Sequence, residues 1–421
     1  MLFSLVLFLT LYLPFQVALN PMVGIDLASI RVAILGLFFL WLSKGLKDKR
    51  IYFVRNFQTS CVVAFLFFVS FSTFFARNVD WSVRKLAFLF SIFPIYFVVS
   101  DVVNSPEKLK KIISGAVVSG TLVAGLGVAQ FFAQFLVGVE ALYLFWAKYA
   151  AAPFLGKTFS QAVLTHPSWL VEISGRTYFR AIAIFPDPHM FAFFLGLLLP
   201  LAIALFFKDR KFIWLLCAAI IFLADILTFS RGGYLALAGG IVALFFIFQN
   251  RVAKKYKIAV FLGLAAIIAL MMIPGPVSSR FFSSFDLAEG SNVGRLAMWN
   301  AAAENILKYP FRGVGIGNFS AAVDPLATYR EPIYAHNTYL DIAAEAGILA
   351  VLAWLGMLFF SISDLLKKSK RESLFLGAAI SLVIFSVHSL TETGLYSPVV
   401  LTLFLMISAF SNIEEKNEKV S

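Results

Sequence analysis

The sequence predicts an all-α, polytopic membrane protein with about twelve transmembrane helices and a large external loop between spans nine and ten. Three observations carry this. Of 421 residues, 60% are hydrophobic and only 14% are charged, and the mean hydropathy is +0.87. Ordinary soluble domains sit near half apolar and about a quarter charged. Apolar runs recur along the whole chain, and about 20 such residues cross a bilayer as one helix. The basic residues are also segregated into one set of short connections, as the positive-inside rule describes.

Taken in order, spans are expected near 2–19, 28–45, 58–76, 84–100, 112–136, 190–207, 212–229, 233–249, 257–273, 338–363, 374–391 and 396–412. The N-terminal run "MLFSLVLFLTLYLPFQVALN" lacks a basic leader and a small-residue cleavage site. It reads as a retained first span despite Pro14, not as a signal peptide. The connections "SKGLKDKR" plus Arg55, "EKLKK", "KDRK", "RVAKKYK", "KKSKR" and the C-terminal tail hold 21 of the 35 Lys and Arg. That places both termini in the cytoplasm and residues 137–189 and 274–336 outside. The net charge of +12 then belongs to cytoplasmic loops, and no nucleic-acid partner is implied. Cys61 and Cys217 fall in apolar segments with no CxxC pair, so neither a disulfide nor a metal site is expected. No repeat or soluble domain is evident, so residues 1–421 read as one integral membrane domain. Residues 274–336 form an external loop subregion containing a short amphipathic helix.

This topology gathers the polar chemistry on the outer side: His166, His189, His336 and His388, with Arg176, Arg180, Arg231, Arg280, Arg295, Arg312 and Arg330. The stretch "YAHNTYLDIAAEAG" is the most informative. Asn337 is a good N-cap for the helix that follows, and His336 stands just before its first turn. The positive helix end disfavours imidazolium, so His336 reads as a neutral imidazole able to take a proton from a hydroxyl. The plainer reading is an interfacial histidine bonded to a loop carbonyl. The same helix end also suits an anion such as phosphate. Asn337, Asp341 and Glu345 are spaced by four and share one helix face. Carboxylates in a span face a polar cavity or a partner charge, here expected to be external-loop arginines or helix ends. A structural ion pair is the alternative.

"ADILTFSRGGYLAL" puts Arg231 where two spans meet outside, with Gly232 and Gly233 allowing the tight turn. It reads either as a bidentate pyrophosphate contact or as a local salt bridge to Asp225. In "GRTYFRAIAIFPDPH" the tetrapeptide "PDPH" reads as a turn before the sixth span. Arg176 and His189 read there as groups meeting water or head groups. "GSNVGRLAMWNAAAENILKYPFRGVGIGNF" reads as an interfacial helix around Trp299, then a Gly-rich turn. Arg295 and Arg312 are placed to reach an anionic head group. "GVGIG" lacks the Lys-Ser/Thr of a Walker motif. His388 and Glu392, four apart, read as a structural pair. There is no DxD, no HExxH and no Cys/His cluster, so a divalent-metal mechanism is not favoured.

These stretches resemble the O-antigen ligase and O-antigen polymerase superfamily of bacterial membrane glycosyltransferases. "FSRGG", the helix-and-loop run above and "HNTYLDIAAEAG" carry the resemblance. In the last, His336, Asn337 and Gly347 fit the ligase-type pattern of His, then Asn or Ser, then Gly after nine intervening residues. The resemblance implies about twelve spans, termini inside, and a reaction on the outer face of the cytoplasmic membrane. It implies a glycan donor carried on undecaprenyl pyrophosphate and an acceptor such as lipid A-core, with no metal, ATP or cofactor. It also implies His336 as the base for the acceptor hydroxyl, and Arg180, Arg231 and Arg295 near the pyrophosphate. Asn337 and Asp341 complete the expected substrate-binding set.

Within the superfamily the pattern leans toward a ligase. An O-antigen, exopolysaccharide or teichuronic-type polymerase, or a protein O-oligosaccharyltransferase, shares the donor and the leaving group. A lipid-linked glycan flippase or other transporter would instead use the arginines to line a path, and polar residues would continue across the spans. Gln130 and Gln134 look isolated. An inactive scaffold is a third class.

Overall fold

The computed structural model describes residues 1–22, 25–51, 53–165, 168–248, 275–283, 290–329 and 332–413. The expected ninth span, 257–273, lies outside the described residues, as do His166 and Arg330.

The chain is built almost wholly from helices. α1 (Leu2–Tyr12) ends in a 3-10 turn containing Pro14. A hairpin of β1 (Ala18–Met22) and β2 (Ile25–Ala28) follows, so the first apolar helix stops short of residue 19. Next come α2 (Ser29–Lys47), α3 (Phe57–Ser72), α4 (Val79–Ile92), α5 (Pro94–Val102) and α6 (Pro106–Val137). Short helices α7 (Val139–Phe145), α8 (Ala152–Leu155) and α9 (Lys157–Thr165) lead to a second hairpin, β3 (Leu170–Ile173) and β4 (Arg176–Phe179). Then come α10 (Pro188–Asp209), α11 (Phe212–Leu227) and α12 (Arg231–Phe248). The remainder is α13 (Pro276–Phe282), α14 (Gly290–Lys308), α15 (Phe319–Val323), α16 (Thr338–Ala346), α17 (Ile348–Lys368), α18 (Ser373–His388) and α19 (Pro398–Ala409).

Six described segments are long and apolar enough to cross a membrane: 29–47, 57–75, 79–102, 106–137, 188–209 and 348–368. Five shorter apolar helices accompany them: 2–15, 212–227, 231–247, 373–388 and 398–412. Their starts are written in side chains that satisfy the first-turn N–H groups. Asn56, Asn78, Ser105, Asp187, Asn337 and Ser397 each cap a helix, and Pro follows the cap at 106, 188 and 398.

The expected tenth span, 338–363, is two helices. Gly347 breaks it at φ +86°, where a Cβ would strike the Phe311 carbonyl. Only α17 is long enough to cross. α16 is a nine-residue helix that packs between α14 and α17. The glycine loop before it is a turn, as its sequence suggests. Gly313, Gly315 and Gly317 all have positive φ, and the Val314 and Gly315 N–H groups bond the Ala344 and Glu345 carbonyls at 2.9 Å.

The bundle has two polar ends and an aromatic middle. At one end Asn56, Gln58, Ser100, Ser411 and Asn412 interlock, near the lysine-rich connections. At the other the loops bond one another, Asn78 to Asn318, Thr338 to Ser389 and Ala181 to Leu227. Between them Phe65, Trp354, Phe404, Phe385 and Phe193 stack in sequence with centroids 4.3–5.4 Å apart. Aromatic pairs at this spacing contribute about 0.5–1.5 kcal/mol each beyond burial.

Candidate active site

At the loop end the helices part around a cavity of about 1090 Å³. Arg31, Arg180, Arg231, Arg280 and Arg295 line it, together with Asp187, His189, His336 and Glu392. Four of the arginines flank the two histidines and Glu392.

Arg180 is placed by a segment that dips between helices after β4. Such backbone must find partners for its polar groups, and two glutamines of α6 supply them. Gln134 accepts from the Phe179 N–H at 2.8 Å and donates to the Phe179 carbonyl at 3.1 Å. Gln130 accepts from the Ile182 and Ala183 N–H groups at 3.0 and 2.9 Å and donates to the Arg180 carbonyl. These two residues looked isolated in the sequence. They hold the strand that carries the arginine. The Arg180 Nε donates to the Thr228 carbonyl at 2.7 Å. Its buried Nη2 has no partner among the described residues. Burial, then the nearby Arg280, pulls the guanidinium down to about 9, so it stays charged at neutral pH. An unpaired buried N–H of a cation is costly, and an anion bound in the cavity would satisfy it. Asp187, the cap of α10, is pushed up to about 6 by burial against the opposing Met190 and His189 N–H groups.

Arg231 is the first residue of α12, buried, with Nη1 donating to the Ser283 carbonyl at 3.1 Å. The alternative of a local salt bridge to Asp225 is not formed: both Asp225 oxygens lack a hydrogen-bond partner among the described residues. The turn also works differently from the expectation. The residue with positive φ is Phe229 at +50°. Gly232 and Gly233 instead allow close approach, since a Cβ on the first would strike Thr391 and His388, and one on the second would press on Ala192. Gly232 therefore brings the start of α12 against the 388–392 segment, and Gly233 brings it against α10.

That segment carries the residue that sequence reading assigned differently. Glu392 Oε1 lies 2.6 Å from His336 Nδ1, while Oε2 lies 3.5 Å from Arg295 and 3.9 Å from His189. Burial would raise this carboxyl. The facing His189, His336 and Arg295 outweigh it and hold Glu392 well below the usual carboxylate range. His336 is raised, first by its bond to Glu392 and against burial. The helix end that argued for a neutral imidazole is thus overridden by a carboxylate at 2.6 Å, a direct charged bond against a partial charge. With Nδ1–H donated to Glu392, Nε2 is the proton-accepting nitrogen, and 44% of the side chain is exposed. His336 also sits at φ +51°, a left-handed conformation uncommon outside glycine.

Residues 214–355 match the family model described as O-Antigen ligase. Over that segment the chain is similar to this family. The O-antigen ligase match spans roughly a third of the 421 residues and includes Arg231, Arg280, Arg295 and His336. Arg180, His189 and Glu392 reach the same cavity from outside it. No curated protein matches the chain.

Around this matched segment the remaining sequence candidates divide. His189 lines the cavity, with Nδ1 2.9 Å from Ser230 Oγ, instead of meeting water or head groups. Arg176 is exposed on β4 as expected, and Arg312 lies over the Phe75 and Tyr309 rings. Asn337 and Asp341 do not reach the cavity wall. The Asn337 oxygen caps α16 through the Tyr339 and Leu340 N–H groups, and its amide donates to the Leu390 carbonyl. Asp341 accepts from the Ala335 N–H at 2.8 Å and bonds the Thr393 hydroxyl. Both residues fix the loop on either side of His336. Glu345 accepts from the Tyr396 hydroxyl at 2.6 Å and from the Phe319 N–H at the start of α15, so of the partners expected, arginines or helix ends, it meets a helix end. His388 stacks on Phe193 at 3.7 Å, and its ring nitrogens have no hydrogen-bond partner. The expected His388–Glu392 pair is therefore absent. Glu392 was hard to find by spacing because its partner stands 56 residues away. Its one signal was a carboxylate just beyond the end of an apolar run.

Proposed function

We propose that this protein is a glycan ligase of the O-antigen ligase type. It moves a glycan from undecaprenyl pyrophosphate to an acceptor such as lipid A-core, on the outer face of the cytoplasmic membrane. The observation that carries the reading is a histidine–carboxylate pair in one cavity with four clustered arginines. His336 Nε2 takes the proton of an acceptor hydroxyl. The freed oxygen attacks the anomeric carbon, the bond from that carbon to the diphosphate oxygen breaks, and its electron pair leaves with the diphosphate. Arg180, Arg231, Arg280 and Arg295 oppose the charge that develops there. One displacement inverts the anomeric centre. The activated donor supplies the energy, with no metal or cofactor. A transporter would need a polar path onward, whereas the aromatic column of Phe193, Phe385, Phe404, Trp354 and Phe65 fills the core.

The test is transfer by purified protein in lipid with EDTA, supplying an undecaprenyl-pyrophosphate glycan with and without lipid A-core. A single-step product that needs the core acceptor, reduced about 10²- to 10⁴-fold in His336→Ala, supports the ligase. A ladder of longer lipid-linked glycans without added acceptor makes the protein a polymerase. Undiminished transfer by His336→Ala removes the base.

A further inference from the structure

One arc of the cavity wall has no part in that reaction. It consists of Arg31, Phe88, Tyr396 and Tyr334. Arg31 stands in the first turn of α2. Its Nε donates to Ser91 Oγ at 2.8 Å, and its guanidinium lies 5.2 Å from the Phe88 centroid. Arg31 forms no ion pair among the described residues. Asp26 lines the same cavity, but its carboxylate is bound by the Asn20 amide and the Phe159 N–H.

From Phe88 the wall continues as an aromatic shelf. The Phe88 edge meets Tyr396 at 6.4 Å, and Tyr396 stacks on Tyr334 at 5.6 Å. Both phenol oxygens are tied up, Tyr396 to Glu345 and Tyr334 to Lys85. The buried Lys85 Nζ lies 3.1 Å from the Tyr396 centroid. Tyr334 is two residues before His336. Contacts therefore run in order along the wall. Arg180 joins Thr228, Ser230 joins His189, His189 approaches Glu392, Glu392 holds His336, and the shelf leads on to Arg31. His336 and Arg31 line the same cavity, joined along its wall by Tyr334, Tyr396 and Phe88.

We propose that Arg31 and this shelf form the acceptor subsite, and that it takes a sugar bearing an anionic substituent, a phosphate or a carboxylate. This rests on the ligase reading. In a single displacement the acceptor approaches the anomeric carbon opposite the diphosphate, with its hydroxyl at His336. The body of the acceptor then extends from His336 along the cavity wall, which the shelf and Arg31 also line. Sugar C–H groups pack on the aromatic rings, and Arg31 meets the anion with paired N–H donors.

The test titrates the purified protein, in phosphatidylcholine nanodiscs and without donor, with three probes. They are a phosphorylated core oligosaccharide, the same after phosphatase treatment, and a uronate-bearing oligosaccharide. At least one anionic probe is expected to bind ten times more tightly than the neutral one. Arg31→Gln removes that advantage, Arg31→Lys keeps part of it, and neutral-probe binding does not change. The preferred anionic probe identifies phosphate or carboxylate. Equal binding of anionic and neutral probes by the wild type overturns the proposal without any variant, as does no binding of any probe. Arg31-dependent binding without transfer sinks the ligase reading and leaves the subsite standing. Transfer with an acceptor KM indifferent to Arg31→Gln does the reverse.

Discussion

At the scale of single residues, Glu392 organises the site. A group whose pKa is raised needs a higher pH to become a free base, so the acidic limb of kcat/KM should lie above the ordinary histidine value of about 6.5. Glu392→Gln removes the charge that raises His336. The limb should move to lower pH and the plateau should fall by at least tenfold. A Glu392 that only packs would lower the plateau and leave the limb in place. Gln130 offers a second check. Gln130→Leu strands the Arg180 carbonyl and two buried N–H groups, each costing about 1–3 kcal/mol. The expected outcome is a clear drop in Tm with donor KM raised about tenfold and the pH limb unmoved. His336 and Arg231 were legible because each stands at the mouth of an apolar run, where a polar group demands a reason, whereas Arg180 and Arg295 were pointed to by the family resemblance. Glu392, His189 and Gln130 were not. Their roles depend on partners 41–56 residues away, and no local period reports such a distance.

Among the elements, the α16–α17 break matters most for the base. Gly347 at φ +86° against the Phe311 carbonyl turns the chain so that α16 stays at the loop end with His336 at its start. Gly347→Ala adds a left-handed alanine, which costs about 1–3 kcal/mol, and a clash. Lower thermal stability and a kcat reduced more than either KM are expected. Wild-type kcat in a folded variant would show that the break does not position His336. Asn337→Ala removes the cap of α16, worth about 1 kcal/mol, and also frees Leu390 next to the Glu392 segment. Helices of 14–32 residues were readable from hydropathy alone. The Gly347 break was hidden because apolar residues continue through it, and the hairpins were hidden because strands of 4–5 residues carry too little pattern.

For the whole molecule, the two polar ends set an orientation that can be measured. In a background lacking Cys61 and Cys217, Leu326→Cys, on an exposed loop residue, should react with a membrane-impermeant maleimide from the outer side of the cytoplasmic membrane. Ser369→Cys, at the basic end after α17, should react only after that membrane is breached. The reverse result would invert the topology and place the cavity in the cytoplasm. The order in which the chain is made adds a consequence. Arg31 and Arg180 are synthesised early, and His336 follows, but Glu392 emerges only after α18. A chain that ends before α18 therefore lacks the carboxylate that faces His336, so the pair is completed only by the last part of the sequence to be made.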